Sequence, residues 1–330
     1  MTALHHAALS GDTESVRALL EEGCNTRSRD QMGMTPLHTA LFHQKEAAAE
    51  LLVDADCVTD IRDTRKRTPL HWAALSGCVE VVRKLLAGGA DANSKDENER
   101  TPLHLAIVSK REVAAEVLLG SIPECDNSDL YGATPLHVAS YSGLTQIAKA
   151  LVLRGARLQA QDVLQRCPLY CALMYGHDGV AKVLLAEFAW RDIAIQWRKL
   201  GLPPERKEYG VRLLSECEAE MRRMRETRAE GSRLSLHDLA RRHPSRLARR
   251  LSDEAIRRLS DPDLLTRDFP YFGDLLLLKL REVRERKSLE DCFLRCFPLL
   301  FPPLPTTCTD VLLACLTDDD LRRVARAVEL

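Results

Sequence analysis

Five histidines, His5, His38, His71, His104 and His137, stand 33 residues apart in a chain of 330 residues. Imidazole titrates near neutral pH and ligates metals, so five of them could form a set of general bases or a metal array. That chemistry needs company: a nucleophile, a carboxylate pair, a phosphate loop or further ligands at fixed spacing. None accompanies these rings. A side chain that recurs at one lattice position is a structural part, and each ring is expected to hydrogen-bond between neighbouring repeats. The 11 cysteines are odd in number and scattered, and several, such as Cys24, Cys57 and Cys171, fall where a repeat could carry Ala or Val. Free thiols in a reducing compartment follow. Cys292 and Cys296 are one helical turn apart, but no second pair or nearby His completes a zinc site. No catalytic residue, metal or cofactor is expected.

The elements that position the rings are legible in the same interval. Leu4, Leu37, Leu70, Leu103, Leu136 and Leu169 precede the histidines and a closing Tyr170. Pro36, Pro69, Pro102, Pro135 and Pro168 stand before the leucines, and Thr35, Thr68, Thr101 and Thr134 before the prolines. Thr caps a helix with its hydroxyl, and Pro fits the first turn, where a missing N–H costs nothing. Leu opens the buried face, and small residues (Ala7, Ala40, Ala73, Ala106, Ala139, Ala172) let paired helices approach closely. Gly11, Gly77, Gly143 and Gly176 end the first helix of a pair in a left-handed turn. A second helix carries pairs such as Leu85-Leu86 into the core, and a finger holding Asp30, Asp63, Asp96, Asp129 or Asp162 leads to the next repeat.

The period of 33 and the Thr-Pro-Leu-His-x-Ala signature resemble ankyrin repeats over residues 1–189. The resemblance implies an all-α solenoid of about six helix-turn-helix repeats. The second and fourth repeats replace the inter-helix Gly by Gln44 and Lys110 and the finger Gly by Asp56 and Ile122, so they are expected to be less regular and less stable. The terminal repeats are atypical: Ala3 stands for Pro in the first, and Cys167 and Tyr170 stand for Thr and His in the sixth.

In ankyrin stacks, as the resemblance implies, the exposed end of the first helix lies four and five residues after the His. The four-after positions are Leu9, Phe42, Leu75, Val108, Tyr141 and Met174, all apolar where a merely solvated site would be polar. This stripe is expected to bind a target protein on the concave face, unless it tilts into the core or is covered by the C-terminal domain. Finger tips add Gln31, Met32, Thr64, Arg65, Glu97, Asn98, Leu130, Tyr131, Val163 and Leu164, with Tyr131 and Tyr141 as anchors. Trp72 serves either as an anchor or as framework.

Past residue 189 the period stops. Residues 190–231 read as a helical linker with Trp190, Trp197, a Pro203-Pro204 break and a charged helix from about Glu205 to Glu230. Residues 232–330 read as short helices: Ser235 with Asp238, Ser252-Asp253-Glu254 and Ser260-Asp261-Pro262 are helix starts, and Phe269-Pro270-Tyr271-Phe272-Gly273 is a turn. The Arg-rich stretch 240–251 lacks interleaved aromatics and is read as surface rather than a nucleic-acid site. Between 304 and 330, Leu304, Pro305, Cys308, Leu312, Leu313, Leu316, Asp320 and Leu321 match the spacing of an F-box, with Thr307 and Cys308 departing from it. A truncated F-box after ankyrin repeats resembles the PRANC domain of poxvirus-type and parasitoid-wasp-type ankyrin proteins. That resemblance implies docking of these residues on the Skp subunit of an SCF-type ubiquitin ligase.

With 47 basic and 48 acidic residues, net charge gives no reason to expect nucleic acid or an anionic membrane. No apolar run is long enough to span a bilayer, and no signal peptide is visible at the first residues. The expected function is that of a non-enzymatic substrate adaptor, cytoplasmic, with an additional nuclear location as the alternative, or in the host-cell cytoplasm if the source is viral or parasitic. Its rival is a stoichiometric sequestering protein of the Rel/NF-kappaB-inhibitor type, acting through the repeats alone.

Overall fold

The computed structural model describes residues 1–55, 60–191, 193–197, 199–227, 235, 236, 238, 251, 253–300, 317, 321 and 322. Among these every regular element is helical, and they divide after Arg212 into two compact units.

The first unit is built from helix pairs. The first helices of the pairs are α1 (Ala3–Ser10), α3 (Pro36–Phe42), α5 (Pro69–Ser76), α7 (Pro102–Val108), α9 (Pro135–Ser142) and α11 (Pro168–Met174). The second helices are α2 (Thr13–Glu21), α4 (Glu46–Ala55), α6 (Val79–Ala87), α8 (Glu112–Ser121), α10 (Thr145–Leu153) and α12 (Asp178–Trp190). Each first helix packs on the first helices of the adjacent repeats, and each second helix on its counterparts. The leucine series and the small-residue series are buried at every repeat, so the core is one continuous seam. The stack is therefore the expected one.

Two details differ from expectation. Gln44 and Lys110 adopt the same left-handed turn as the glycines they replace, at φ 56° and 55°. The inter-helix turn keeps its geometry, at a cost of about 1–2 kcal/mol at each position. The fourth repeat does depart at the end of its second helix, as expected: Ile122 is extended (φ −103°, ψ 137°) where Gly23, Gly89 and Gly155 are left-handed. Asp56 lies outside the described residues. A second glycine position was overlooked: the finger turns are left-handed at Gly33 and Gly132 but also at Lys66, Glu99 and Gln165.

The stack is closed at its far end by residues beyond the last repeat. Gly210, in the first turns of α13 (Pro204–Glu226), is buried, and a methyl group on it would lie 2.7 Å from the Trp197 ring and 3.1 Å from Leu173. The segment read as a linker is thus shared: 190–212 belong with the repeats, and the rest of α13 belongs to the second unit.

The second unit contains α14 (Asp253–Leu259), α15 (Pro262–Asp268) and α16 (Gly273–Leu300). Ser235 and Asp238 cap each other as expected: the Ser235 Oγ donates to the Asp238 carboxylate at 2.9 Å and accepts the Asp238 N–H at 3.1 Å. The expected helix starts and the 269–273 turn are present as well. The difference is α16, which runs 28 residues where short helices were expected. No Gly or Pro interrupts 274–297, and Arg286 and Glu290 pair at 2.7 Å across one turn, both buried. Buried Glu220 of α13 accepts the Phe272 N–H at 2.8 Å and the Tyr271 N–H at 3.0 Å, satisfying amides at the start of α16.

Candidate functional site

The histidine lattice can be followed atom by atom. In five repeats the Thr N–H and hydroxyl both donate to the ring Nδ1 three residues later, at 3.1–3.2 Å and 2.8–2.9 Å. A ring that accepts at Nδ1 carries its proton on Nε2. That Nε2–H donates to a carbonyl of the next repeat: His5 to Met34, His71 to Arg100, His104 to Ala133 and His137 to Arg166, at 2.9–3.2 Å. His38 faces the Arg67 carbonyl but reaches no bond of good geometry. Four of the five rings thus tie one helix start to the following repeat, as expected.

Burial favours the neutral form of His38, His71, His104 and His137. Desolvation, only partly offset by backbone carbonyls and Asp charges, pulls the pKa of His38, His71 and His104 from 6.5 to about 4, and lowers that of His137. Burial acts on the buried thiols too, raising the pKa of Cys78, Cys125 and Cys167. Cys24, Cys78, Cys125, Cys167, Cys171 and Cys217 are free, and burial pushes Cys171 up to about 11 and Cys217 to about 12. A thiol held in its protonated form is a poor nucleophile at neutral pH. Among the described residues no cluster of His, Cys, Asp and Glu could hold a metal. Cys57, Cys292, Cys296, Cys308 and Cys315 have side chains outside the described residues.

The aspartate series closes the fingers. Each Asp Oδ1 accepts N–H bonds from the residues two and four further on, at 2.8–2.9 Å in all five fingers. Fingers are then joined through their backbones: the N–H of Thr64, Glu97, Leu130 and Val163 donates to Met32, Arg65, Asn98 and Tyr131, respectively, at 2.9–3.0 Å. Arg67, Arg100 and Arg166 pair with Asp63, Asp96 and Asp162 at 2.6–2.9 Å. Burial raises the Asp162 pKa, but the bonds and charge of Arg166 outweigh it and hold the carboxyl below the usual range. The finger tips therefore form a fixed row.

On this scaffold Leu9, Phe42, Val108, Tyr131 and Tyr141 are 38–60% exposed, which is high for side chains of this size. Leu75 and Met174 are half-buried and contribute part of their surface. Trp72 is a correction: it is only 4% exposed and is framework, not a target-binding anchor. Its indole N–H donates to Asp63 at 3.1 Å, the Arg67 guanidinium lies 3.8 Å over the ring, and the Phe42 ring meets it at a right angle with centroids 5.1 Å apart. The residue therefore holds Phe42 in place while remaining inaccessible itself.

Tyr175 was missed. It is 49% exposed and packs against Tyr141 with ring centroids 4.4 Å apart. The signal was present, since it stands five residues after Tyr170, at the other exposed position of the first helix. His177 Nε2 donates to the Tyr141 carbonyl at 2.8 Å and steadies the pair. Leu130, Tyr131, Val163 and Leu164 are exposed on two bonded fingers, and those fingers lead into the helices that carry Tyr141 and Tyr175. The fifth and sixth repeats thus present more apolar surface at their finger tips than the third and fourth, whose tips are Arg65, Lys66, Glu97 and Glu99.

In the C-terminal motif, Leu304, Pro305, Cys308, Leu312, Leu313, Leu316 and Asp320 lie outside the described residues. Leu321 is buried, and Arg322 beside it pairs with Glu285 of α16 at 2.5 Å. No described helix is long and apolar enough to cross a membrane.

The family model for ankyrin repeats in three copies matches residues 1–63, 53–129 and 114–194. A search of curated proteins returns no match. Among solved structures, the ankyrin repeat domain of Bcl-3, titled a unique member of the IkappaB protein family, is similar at 24% identity and a TM-score of 0.50. The match covers 57% of this chain and 86% of that one, and it supports the fold alone.

Proposed function

Since this chain belongs to the ankyrin-repeat family, we propose that it is a non-catalytic adaptor that captures a target protein with Leu9, Phe42, Val108, Tyr141 and Tyr175 and with the tips of its last two fingers. The observation that carries this reading is the exposed Tyr141–Tyr175 pair beside apolar tips on a rigid row. Aromatic side chains held in place before binding lose little entropy when they dock, so they convert buried area into affinity efficiently. The uncharged first helices favour an apolar segment as the occupant, because a charge docked there would be desolvated without a partner.

The finer reading is that the motif at 304–321 recruits the Skp subunit of an SCF-type ubiquitin ligase. Its support is the F-box spacing in the sequence. Tethering target and ligase on one chain raises their effective concentration without any chemistry in this protein. The second reading, sequestration by the repeats alone, is favoured by the binding surface lying wholly on the stack. Titrating the full chain with Skp subunit by calorimetry separates them. Binding that Leu316→Glu abolishes supports the adaptor. Heat-silent mixing with the wild-type chain leaves sequestration as the function.

A further inference from the structure

The sequence Arg-Arg-Leu-Ser-Asp occurs twice, at 249–253 and again eight residues later at 257–261. Protein capture makes no use of it. The serine of the second copy, Ser260, lies at the corner between α14 and α15. It is half-buried, its Oγ donates to the Ile256 carbonyl at 2.5 Å, and its N–H donates to Arg257 at 3.2 Å. Arg257 itself is exposed.

We propose that Ser260 is a phosphorylation site for an Arg-directed protein kinase. Guanidinium groups three and two residues before a serine suit kinases whose substrate groove carries carboxylates, since Arg pairs with carboxylate in a bidentate fork. A kinase takes its substrate extended, and the segment to be extended is the last turn of a helix of seven residues. Helices this short are marginal on their own, so the turn opens readily. In the transfer, the bond between the γ-phosphorus of ATP and the β–γ bridging oxygen breaks. A bond from Ser260 Oγ to that phosphorus forms, the hydroxyl proton passes to the kinase's base, and ADP leaves.

The modified side chain no longer fits its site. It loses the donor that held the Ile256 carbonyl, and it places close to two negative charges at the C-terminal end of α14, where the helix dipole is also negative. Asp261 and Asp263 follow immediately in sequence and add like charge. Arg257 is exposed, and a surface pair with it recovers little. Both α14 and α15 pack on α16, so opening the corner loosens the second unit and leaves the repeats intact.

The test uses the full chain with the catalytic subunit of a cyclic-nucleotide-dependent, Arg-directed kinase and Mg-ATP. Peptide mass spectrometry should place phosphate on Ser260, Ser260→Ala should remove it, and Arg257→Ala should slow it by about tenfold. Limited proteolysis should then cut the phosphorylated chain faster between 251 and 268, with the melting of the repeats unchanged. Phosphate on Ser252 alone, none on either serine, or a rate indifferent to Arg257→Ala overturns the site. A phosphorylated chain cut no faster than the unmodified one overturns the opening of the corner.

Discussion

At the residue scale, two large aromatic side chains of adjacent first helices reach opposite fates. Phe42 and Trp72 both belong to apolar positions of first helices, yet Phe42 is exposed and Trp72 is sealed under Arg67. Sequence spacing located the stripe four residues after each His, and Trp72 stands one residue after, where Thr39, Leu105 and Cys171 are buried as well; its Asp63 and Arg67 partners come from the preceding finger. The histidines were fully legible because one lattice position admits one role. Their titration gives a prediction. The folded pKa of His38, His71 and His104 is about 4 against an unfolded 6.5, so their contribution is fully present above pH 6.5 and is lost as pH falls toward 4. Each shift is worth about 3 kcal/mol. Urea midpoints should therefore drop steeply between pH 6.5 and 4, and a midpoint unchanged across that range would mean that the rings are charged in the fold.

At the element scale, the repeat turns explain why substitutions at glycine positions are tolerated. Gln44 and Lys110 are held left-handed by the helices on either side, with no loss of the turn. Gln44→Gly and Lys110→Gly should each stabilise the stack by up to about 1 kcal/mol, since glycine adopts this backbone without the steric penalty. Thermal melts that fall instead would show that the long side chains earn their place by packing. Leu70 is fully buried in the middle of the seam, with a repeat on each side that cannot close over a cavity. Leu70→Ala should cost about 2–5 kcal/mol by chemical denaturation. The helix α16 was not legible at its true length because the apolar run Leu275–Leu278 stood out, whereas continuity is set by what is missing, a Gly or Pro between 274 and 297.

At the scale of the whole molecule, the chain is two units with separate cores, and α13 contributes to both. The repeat unit could be read almost completely from its period. The second unit could be read only at its helix starts, since short polar-capped helices share no lattice that would fix their partners. The account as a whole rests on the stripe being a surface for a partner and not an unfinished core. The most direct measurement is the affinity of the captured target for the Tyr141→Ala, Tyr175→Ala double variant, taken with its melting temperature. Loss of the aromatic pair should weaken binding by tenfold or more, about 1.4 kcal/mol at the least, while the melting temperature stays close to wild type. Undiminished binding, or a fall in melting temperature as large as that of Leu70→Ala, would contradict the assignment of this face.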